Sequence, residues 1–153
     1  MKLDVKNLAL GAVGETDNLE INLDDYKISD DLIATSIKGK IKLTRLEDSI
    51  LTEISGGAAL KVPCDRCLID FELDIPFDVT REYFFGGYRE DGEELLVSKH
   101  FEVEVEEPMR EEIILAIPVK KLCREGCRGL CAHCGADLNE GKCKCSRTEN
   151  KKV

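Results

Sequence analysis

The sequence predicts an α+β protein: a mainly antiparallel sheet or partial barrel with one packed helix, followed by a small cysteine-rich, zinc-binding C-terminal module. Three observations carry this expectation. Residues 32–85 hold long stretches in which apolar and polar side chains alternate, the period of half-buried strands. One stretch, 106–117, has the 3.6-residue stripe of a helix. Six of the chain's eight cysteines fall within residues 123–145, where large apolar side chains are scarce. At 153 residues the chain fits one ordinary domain and an appended module, which places a mainly-β body at 1–118 and the module at 119–153.

Taken in order, residues 2–10 and 19–23 carry short alternating patterns, such as Leu19, Ile21 and Leu23, punctuated by Asn18 and Asp24-Asp25. Residues 32–46 alternate through Ile33, Thr35, Ile37, Gly39, Ile41 and Leu43. Arg45 to Ser49 reads as a turn. Thr52, Ile54, Gly56, Ala58, Leu60 and Val62 then share one face, and Cys64 falls on the same parity, so the strand delivers Cys64 near its end. After Cys67, Phe71, Leu73, Ile75, Phe77 and Val79 alternate with Asp70, Glu72, Asp74 and Asp78. Pro76 has no N–H to give to a ladder, which marks that strand as an edge or a bulge. The small run Gly56, Gly57, Ala58, Ala59 marks strong curvature or the close approach of another element. Residues 86–94 form a polar loop. Phe101, Val103 and Val105 give one more short strand. From Glu106 to Ile117 the chain reads as a helix, with Glu106 and Glu107 at its positive end, Pro108 tolerated in the first turn and Pro118 as its stop. Met109, Ile113, Ala116 and Ile117 make its buried stripe.

Eight cysteines divide into two sets of four, and four thiolates close one tetrahedral zinc site. Cys64/Cys67 and Cys131/Cys134 share the C-x-x-C spacing, which turns both sulfurs toward one ion. Gly135 supplies the permissive backbone such a turn needs. Cys123/Cys127 lie within the usual ligand spacing, while Cys143-Lys-Cys145 is tighter than usual. The metal ligands are thus Cys64, Cys67, Cys123, Cys127, Cys131, Cys134, Cys143 and Cys145. Chain order pairs Cys123 and Cys127 with the hairpin bend at Cys64 and Cys67, leaving the last four as a local site. The spacing of Cys127 and Cys131 keeps another pairing open. From Val119 to Val153 the large apolar side chains are only Val119, Leu122, Leu130, Leu138 and Val153, too few for a core, and so small a unit needs a staple. Structural zinc supplies roughly 10–16 kcal/mol of apparent binding energy that becomes folding energy.

Other cysteine chemistries fit less well. Disulfides need an oxidising compartment, and the first residues, Met1 to Asn7, hold no apolar signal region. A redox C-x-x-C wants a βαβ context, but Cys64 and Cys67 stand between antiparallel-type strands. None of the usual iron–sulfur spacings occurs. The expected compartment is the cytoplasm, where thiols stay reduced. No apolar run is long enough to span a membrane.

The formal net charge of −9 is unevenly spread. Residues 1–117 hold 13 Lys and Arg against 27 Asp and Glu, whereas residues 118–153 hold 9 against 4. Phosphates attract the basic part and repel the acidic one, so the candidates for RNA contact are Lys120, Lys121, Arg124, Arg128, Lys142, Lys144 and Arg147. An acidic face is also simply well solvated.

Four stretches resemble the YceD-like family, the large ribosomal RNA subunit accumulation proteins: Cys-Asp-Arg-Cys-Leu at 64–68, Glu-Glu-Ile-Ile-Leu-Ala-Ile-Pro at 111–118, Gly-Leu-Cys-Ala-His-Cys-Gly-Ala-Asp-Leu-Asn at 129–139, and Cys-Lys-Cys at 143–145. Their order and separations fit from about residue 32 to 145. The resemblance implies a cytoplasmic bacterial protein, or a plastid relative, needed for large-subunit ribosomal RNA to accumulate, with no catalytic activity. Its partners would be ribosomal RNA or large-subunit ribosomal proteins, with no membrane and no small-molecule substrate. Two other functions use the same cysteines: a thiol redox or thiol-chaperone protein acting through Cys64/Cys67, and a zinc adaptor that binds only proteins.

The remaining polar and aromatic residues have ordinary readings. His133 lies inside a C-x-x-C turn, where a side chain more often faces solvent than metal. His100 reads as a surface or strand residue. Arg66 suits a phosphate or a partner in Asp65 or Asp70. Tyr83, Phe84, Phe85 and Tyr88 could stack on bases, but their alternation suits the core or rim of a sheet.

Overall fold

The computed structural model describes residues 1–86, 96–141, 143 and 145. The 86–94 loop from residue 87 onward lies outside the described residues, as do Tyr88, Lys142, Lys144, Arg147 and Val153. Four long strands dominate the chain: β2 (Thr16–Ser29), β3 (Leu32–Arg45), β4 (Ser49–Pro63) and β5 (Asp70–Phe84), hydrogen-bonded in the order β2-β3-β4-β5. The β2–β3 and β3–β4 ladders are antiparallel. Two short strands, β1 (Lys2–Asp4) and β6 (Glu102–Glu104), pair antiparallel in a second sheet. The helices are α1 (Lys6–Ala9) and α2 (Glu106–Ala116). The protein is therefore mostly antiparallel sheet, and among the described residues the sheet stays open rather than closing into a barrel.

The chain divides into two compact units, residues Met1–Leu60 with Asp74–Ile117 and residues Lys61–Leu73 with Pro118–Val153. The first unit has an ordinary apolar core. Ile21, Ile37, Ile41, Leu43, Ile54, Ala58, Ile75, Phe77 and Val79 are buried on alternating positions of the four strands. Two strands change face along their length. Asp25 takes a left-handed φ of 49°, and β2 passes from inward Leu19, Ile21 and Leu23 to inward Tyr26 and Ile28. In β3 the register shifts between Ala34 and Ser36. Ala34 is consequently buried while Ile33 is 53 % exposed, the reverse of the simple alternation expected from the sequence. An inserted residue moves every later side chain to the opposite face.

The segment 2–10, expected to be strand-like, breaks after Asp4, whose carboxylate accepts the Lys6 backbone N–H at 2.9 Å. That local bond favours a turn, and the four residues of α1 follow with Leu8 buried. In α2 the buried residues are Pro108, Met109 and Ile113. Ala116 is exposed instead of closing the stripe, because Ile117 stands before Pro118 and takes an extended conformation with ψ 123°. Pro76 lies on β5, the last strand in the sheet order, where a missing N–H is tolerated. Tyr83 is buried, and its hydroxyl donates to the Glu104 carbonyl. Phe85 lies 4.4 Å beneath the Arg45 guanidinium. Tyr83 and Phe85 thus each have a partner within the first unit.

The small residues of β4 have a specific purpose. Gly39 and Gly56 face each other across the β3–β4 ladder. A Cβ on Gly56 would sit 2.4 Å from the Lys38 carbonyl oxygen and 3.0 Å from the Phe77 ring. Backbone cannot retreat from such a contact as a flexible side chain can. We expect Gly56→Ala to destabilise the protein by about 1–3 kcal/mol, read as a lower urea midpoint with an unchanged slope.

Candidate metal centre

All eight cysteines belong to the second unit, and the fold sorts them into two groups of four. Cys64, Cys67, Cys123 and Cys127 form one; Cys131, Cys134, Cys143 and Cys145 form the other. Within each group the sulfurs lie within 4.8 Å of one another. In the first group the Cys64–Cys127 separation is 3.8 Å and the Cys67–Cys123 separation 3.7 Å. A tetrahedron of sulfurs at about 2.3 Å from a central ion has edges of about 3.8 Å, so the donor set suits a four-thiolate metal site. A disulfide would need about 2.05 Å. His133 and His100 are exposed and belong to neither group.

Each group starts from a knuckle of the same design. The Cys64 N–H donates to the Ile69 carbonyl, and the Leu68 N–H donates back to Cys64 O, both at 2.9 Å. At the same offsets the Cys131 N–H donates to Ala136 O at 2.8 Å and the Gly135 N–H to Cys131 O at 2.9 Å. The residue after each second cysteine is left-handed: Leu68 at φ 61° and Gly135 at φ 71°. Such a turn aims backbone N–H groups at the first sulfur. The Cys123 N–H reaches Cys64 Sγ at 3.5 Å and, with the N–H groups of Cys67 and Arg66, holds that thiol down at about 6 despite its burial. The N–H groups of Cys134 and His133 hold Cys131 down at about 6 as well. Within the same groups, burial and neighbouring thiols push Cys123 up to about 12, and the Cys134 thiol followed by burial pushes Cys145 up to about 12. Each knuckle is primed to ionise at its first sulfur, but four thiolates this close need a cation to coexist.

The groups differ in exposure. Cys64, Cys67 and Cys127 are buried and packed by Phe71, Leu122 and Leu130. In the second group Cys134 is exposed and Cys131, Cys143 and Cys145 are half-buried.

Several residues around the first group carry no cysteine signal. Asp65 docks the returning chain: its N–H donates to Lys121 O at 2.8 Å, and its carboxylate accepts the Lys121 N–H at 2.7 Å. Arg66, expected to meet a phosphate or an aspartate, donates from Nη1 to the Cys127 carbonyl at 2.8 Å. Its own carbonyl accepts the Leu130 N–H at 3.1 Å. Gly129, at φ 71°, lies against that carbonyl so closely that a Cβ would come within 2.9 Å. Of the basic residues, Lys120, Arg124 and Arg128 are exposed, while Lys121 is half-buried beside Asp65.

An open antiparallel sheet joined to a module of two paired cysteine knuckles defines a sheet protein with a candidate double metal centre. Residues 53–152 match the family described as large ribosomal RNA subunit accumulation protein YceD, and the chain belongs to that family. It is also 25 % identical over 150 residues to the chloroplastic large ribosomal RNA subunit accumulation protein YCED homolog 1 of Arabidopsis thaliana. That alignment covers 78 % of this chain and 45 % of the relative, so the chain spans under half of the relative's length. No solved structure matches the chain. Among the described residues no helix is long and apolar enough to cross a membrane.

The shared knuckle geometry yields a test. Leu68 occupies the left-handed position that Gly135 fills in the other knuckle, and its side chain is 67 % exposed. A non-glycine residue there costs about 1–2 kcal/mol, offset in part by the greater freedom glycine gives the unfolded chain. Leu68→Gly should raise stability by about 0.5–1 kcal/mol, whereas Gly135→Leu should lower it by a similar amount. Thermal unfolding of metal-loaded protein measures both.

Proposed function

We propose that this chain is a non-enzymatic ribosome-biogenesis factor that supports accumulation or processing of large-subunit ribosomal RNA, and that each cysteine group holds one structural zinc. The observation that carries the reading is the pair of four-sulfur groups at tetrahedral spacing in a chain of the YceD family. Soft thiolates in a closed tetrahedron favour zinc over hard cations. Bound zinc would supply the cross-link that the sparse apolar content of the module cannot. The protein's own residues do the rest: Asp65 and Arg66 hold the returning chain against the first knuckle, and the 131–136 turn presents the second. The proposed compartment is the bacterial cytoplasm.

Charge bears on the partner. The second unit carries 11 Lys and Arg against 7 Asp and Glu, and the first 11 against 24. Two zinc–thiolate centres would each add a formal charge of about −2, taking the second unit from +4 to near neutral. Affinity for RNA would therefore come from individual exposed cations, Lys120, Arg124 and Arg128, rather than from a net field. The same arithmetic favours the second reading, a zinc adaptor that meets ribosomal proteins only. A redox role for Cys64 and Cys67 is less well supported, since both sulfurs are buried and a thiol must be reached to exchange.

Reduced, metal-replete protein should contain about two zinc ions per chain on this ligand count. A chelator should strip them in two phases, the exposed Cys131–Cys145 site first. Zinc near zero with eight titratable thiols would overturn the metal reading. Changing Lys120, Arg124 and Arg128 together to Glu should lower large-subunit RNA in a strain carrying only that variant, without loss of zinc. Normal RNA levels would move the function to the protein adaptor.

A further inference from the structure

The segment between the two cysteine groups is a small hairpin whose base belongs to one group and whose tip is the other. Leu130 and Asp137 bridge antiparallel. The Leu138 N–H donates to Gly129 O at 2.9 Å, and the Cys131 N–H to Ala136 O at 2.8 Å. Toward Cys127 the ladder is completed by a side chain. The Arg128 N–H donates to Asn139 Oδ1 at 2.8 Å. Because a backbone N–H can only donate, that contact fixes the orientation of the carboxamide. Its Nδ2 then faces the Asp137 carboxylate at 2.7 Å and Cys127 Sγ at 3.6 Å. The Asn139 backbone N–H also donates to Asp137 Oδ1 at 2.8 Å. A residue on the second group's loop thus gives a hydrogen bond to a buried sulfur of the first.

We infer that Asn139 is a positioning residue that couples the two metal sites, so that the folded hairpin of the Cys131–Cys145 site strengthens metal binding at the Cys64–Cys127 site. The inference rests on the metal reading above. A neutral thiol accepts hydrogen bonds weakly. A metal-bound thiolate accepts them strongly, because a charged acceptor shortens and strengthens the bond. The Asn139 N–H group therefore stabilises the loaded first site more than the empty one. Its carboxamide is held in place by Asp137 and Arg128, and hence by the hairpin that the second site closes. Donors to a ligand atom commonly change metal affinity by 10–100-fold. Coupling of this kind is reciprocal, so metal at the first site also favours the hairpin and loading at the second.

The test is titration of the reduced full chain with Co(II), followed by its sulfur-to-metal charge-transfer bands, and by competition with zinc. Asn139→Asp, made together with Asp137→Asn so that this side-chain pair stays bonded and the net charge is unchanged, retains an oxygen for the Arg128 N–H but loses the donor to sulfur. It should weaken the first site about tenfold and move its charge-transfer band to lower energy, while the hairpin amides of residues 128–138 keep their exchange protection. Removing the second site with Cys134→Ser and Cys143→Ser should weaken the first site by a similar factor, and adding Asn139→Asp with Asp137→Asn to that background should then change little. First-site affinity and spectrum unchanged in Asn139→Asp with Asp137→Asn, or unchanged when the second site is removed, would overturn the coupling while leaving two metal sites in place. Failure of the unsubstituted chain to take up Co(II) at all would instead overturn the metal reading, and the coupling with it.

Discussion

Four sulfurs brought to non-bonded contact in each of two groups are the constraint on which the second unit depends. Its apolar cluster consists of Cys64, Cys67 and Cys127 with Phe71, Leu122, Cys123 and Leu130 around them. The cysteines are themselves the core. In each group backbone N–H groups draw the first thiol, Cys64 or Cys131, toward ionisation, while burial and neighbouring thiols push Cys123, and the Cys134 thiol followed by burial pushes Cys145, away from it. Under the proposed metal reading, one cation in each group would let these opposed sulfurs all bind as thiolates. The Asp65–Lys121 and Arg66–Cys127 bonds add direction rather than bulk energy: they decide which chain segments meet at the sulfurs.

The first unit needs no such device. It is built on four long strands of 14 or 15 residues, β4 and β5 running on past its bounds, that bury branched side chains on alternate positions. Its irregularities are steric and local. The facing glycines at 39 and 56 let β3 and β4 approach beneath Phe77, and the left-handed turn of backbone at Asp25 and the shift near Ala34 change which face points inward. At the end of β4, Val62 and Cys64 continue the inward parity of the strand and carry it into the first cysteine group.

Much of this was legible in the residues. Strand period, the helix between Glu106 and Pro118 and the glycine after Cys134 follow from patterns that local physics imposes, whereas the spacing of Cys127 and Cys131 left a second grouping of the cysteines open. The rest depends on contacts that pattern does not encode. A bulge leaves no mark in an alternating sequence until a partner strand shows the slip, so Ile33 was expected inward and Ala34 outward. The strand at Lys2–Asp4 could equally have run on before the Asp4 carboxylate was seen to hold the Lys6 N–H. Arg66 suggested a charged partner, yet it meets a carbonyl 61 residues away. Leu68 gives no sign of a left-handed backbone, because the residue type that signals one is glycine. Asn139 matters only because the hairpin brings it back to Cys127, a proximity that spacing alone does not reveal.

The second unit is discontinuous in sequence, and that has a consequence for its synthesis. Cys131 to Cys145 are contiguous, so their knuckle can close as soon as it leaves the ribosome. Cys67 and Cys123 are 56 residues apart. At 5–20 residues per second, the nascent chain carries the Cys64-Cys67 pair for about 3–11 s before its partners are made. During that interval the two thiols stand without the Cys123 N–H that meets Cys64 in the finished fold. The intact protein hides the first group most thoroughly, yet during synthesis that group is the one left waiting. Its correct assembly therefore depends on how far folding keeps pace with synthesis in the same few seconds.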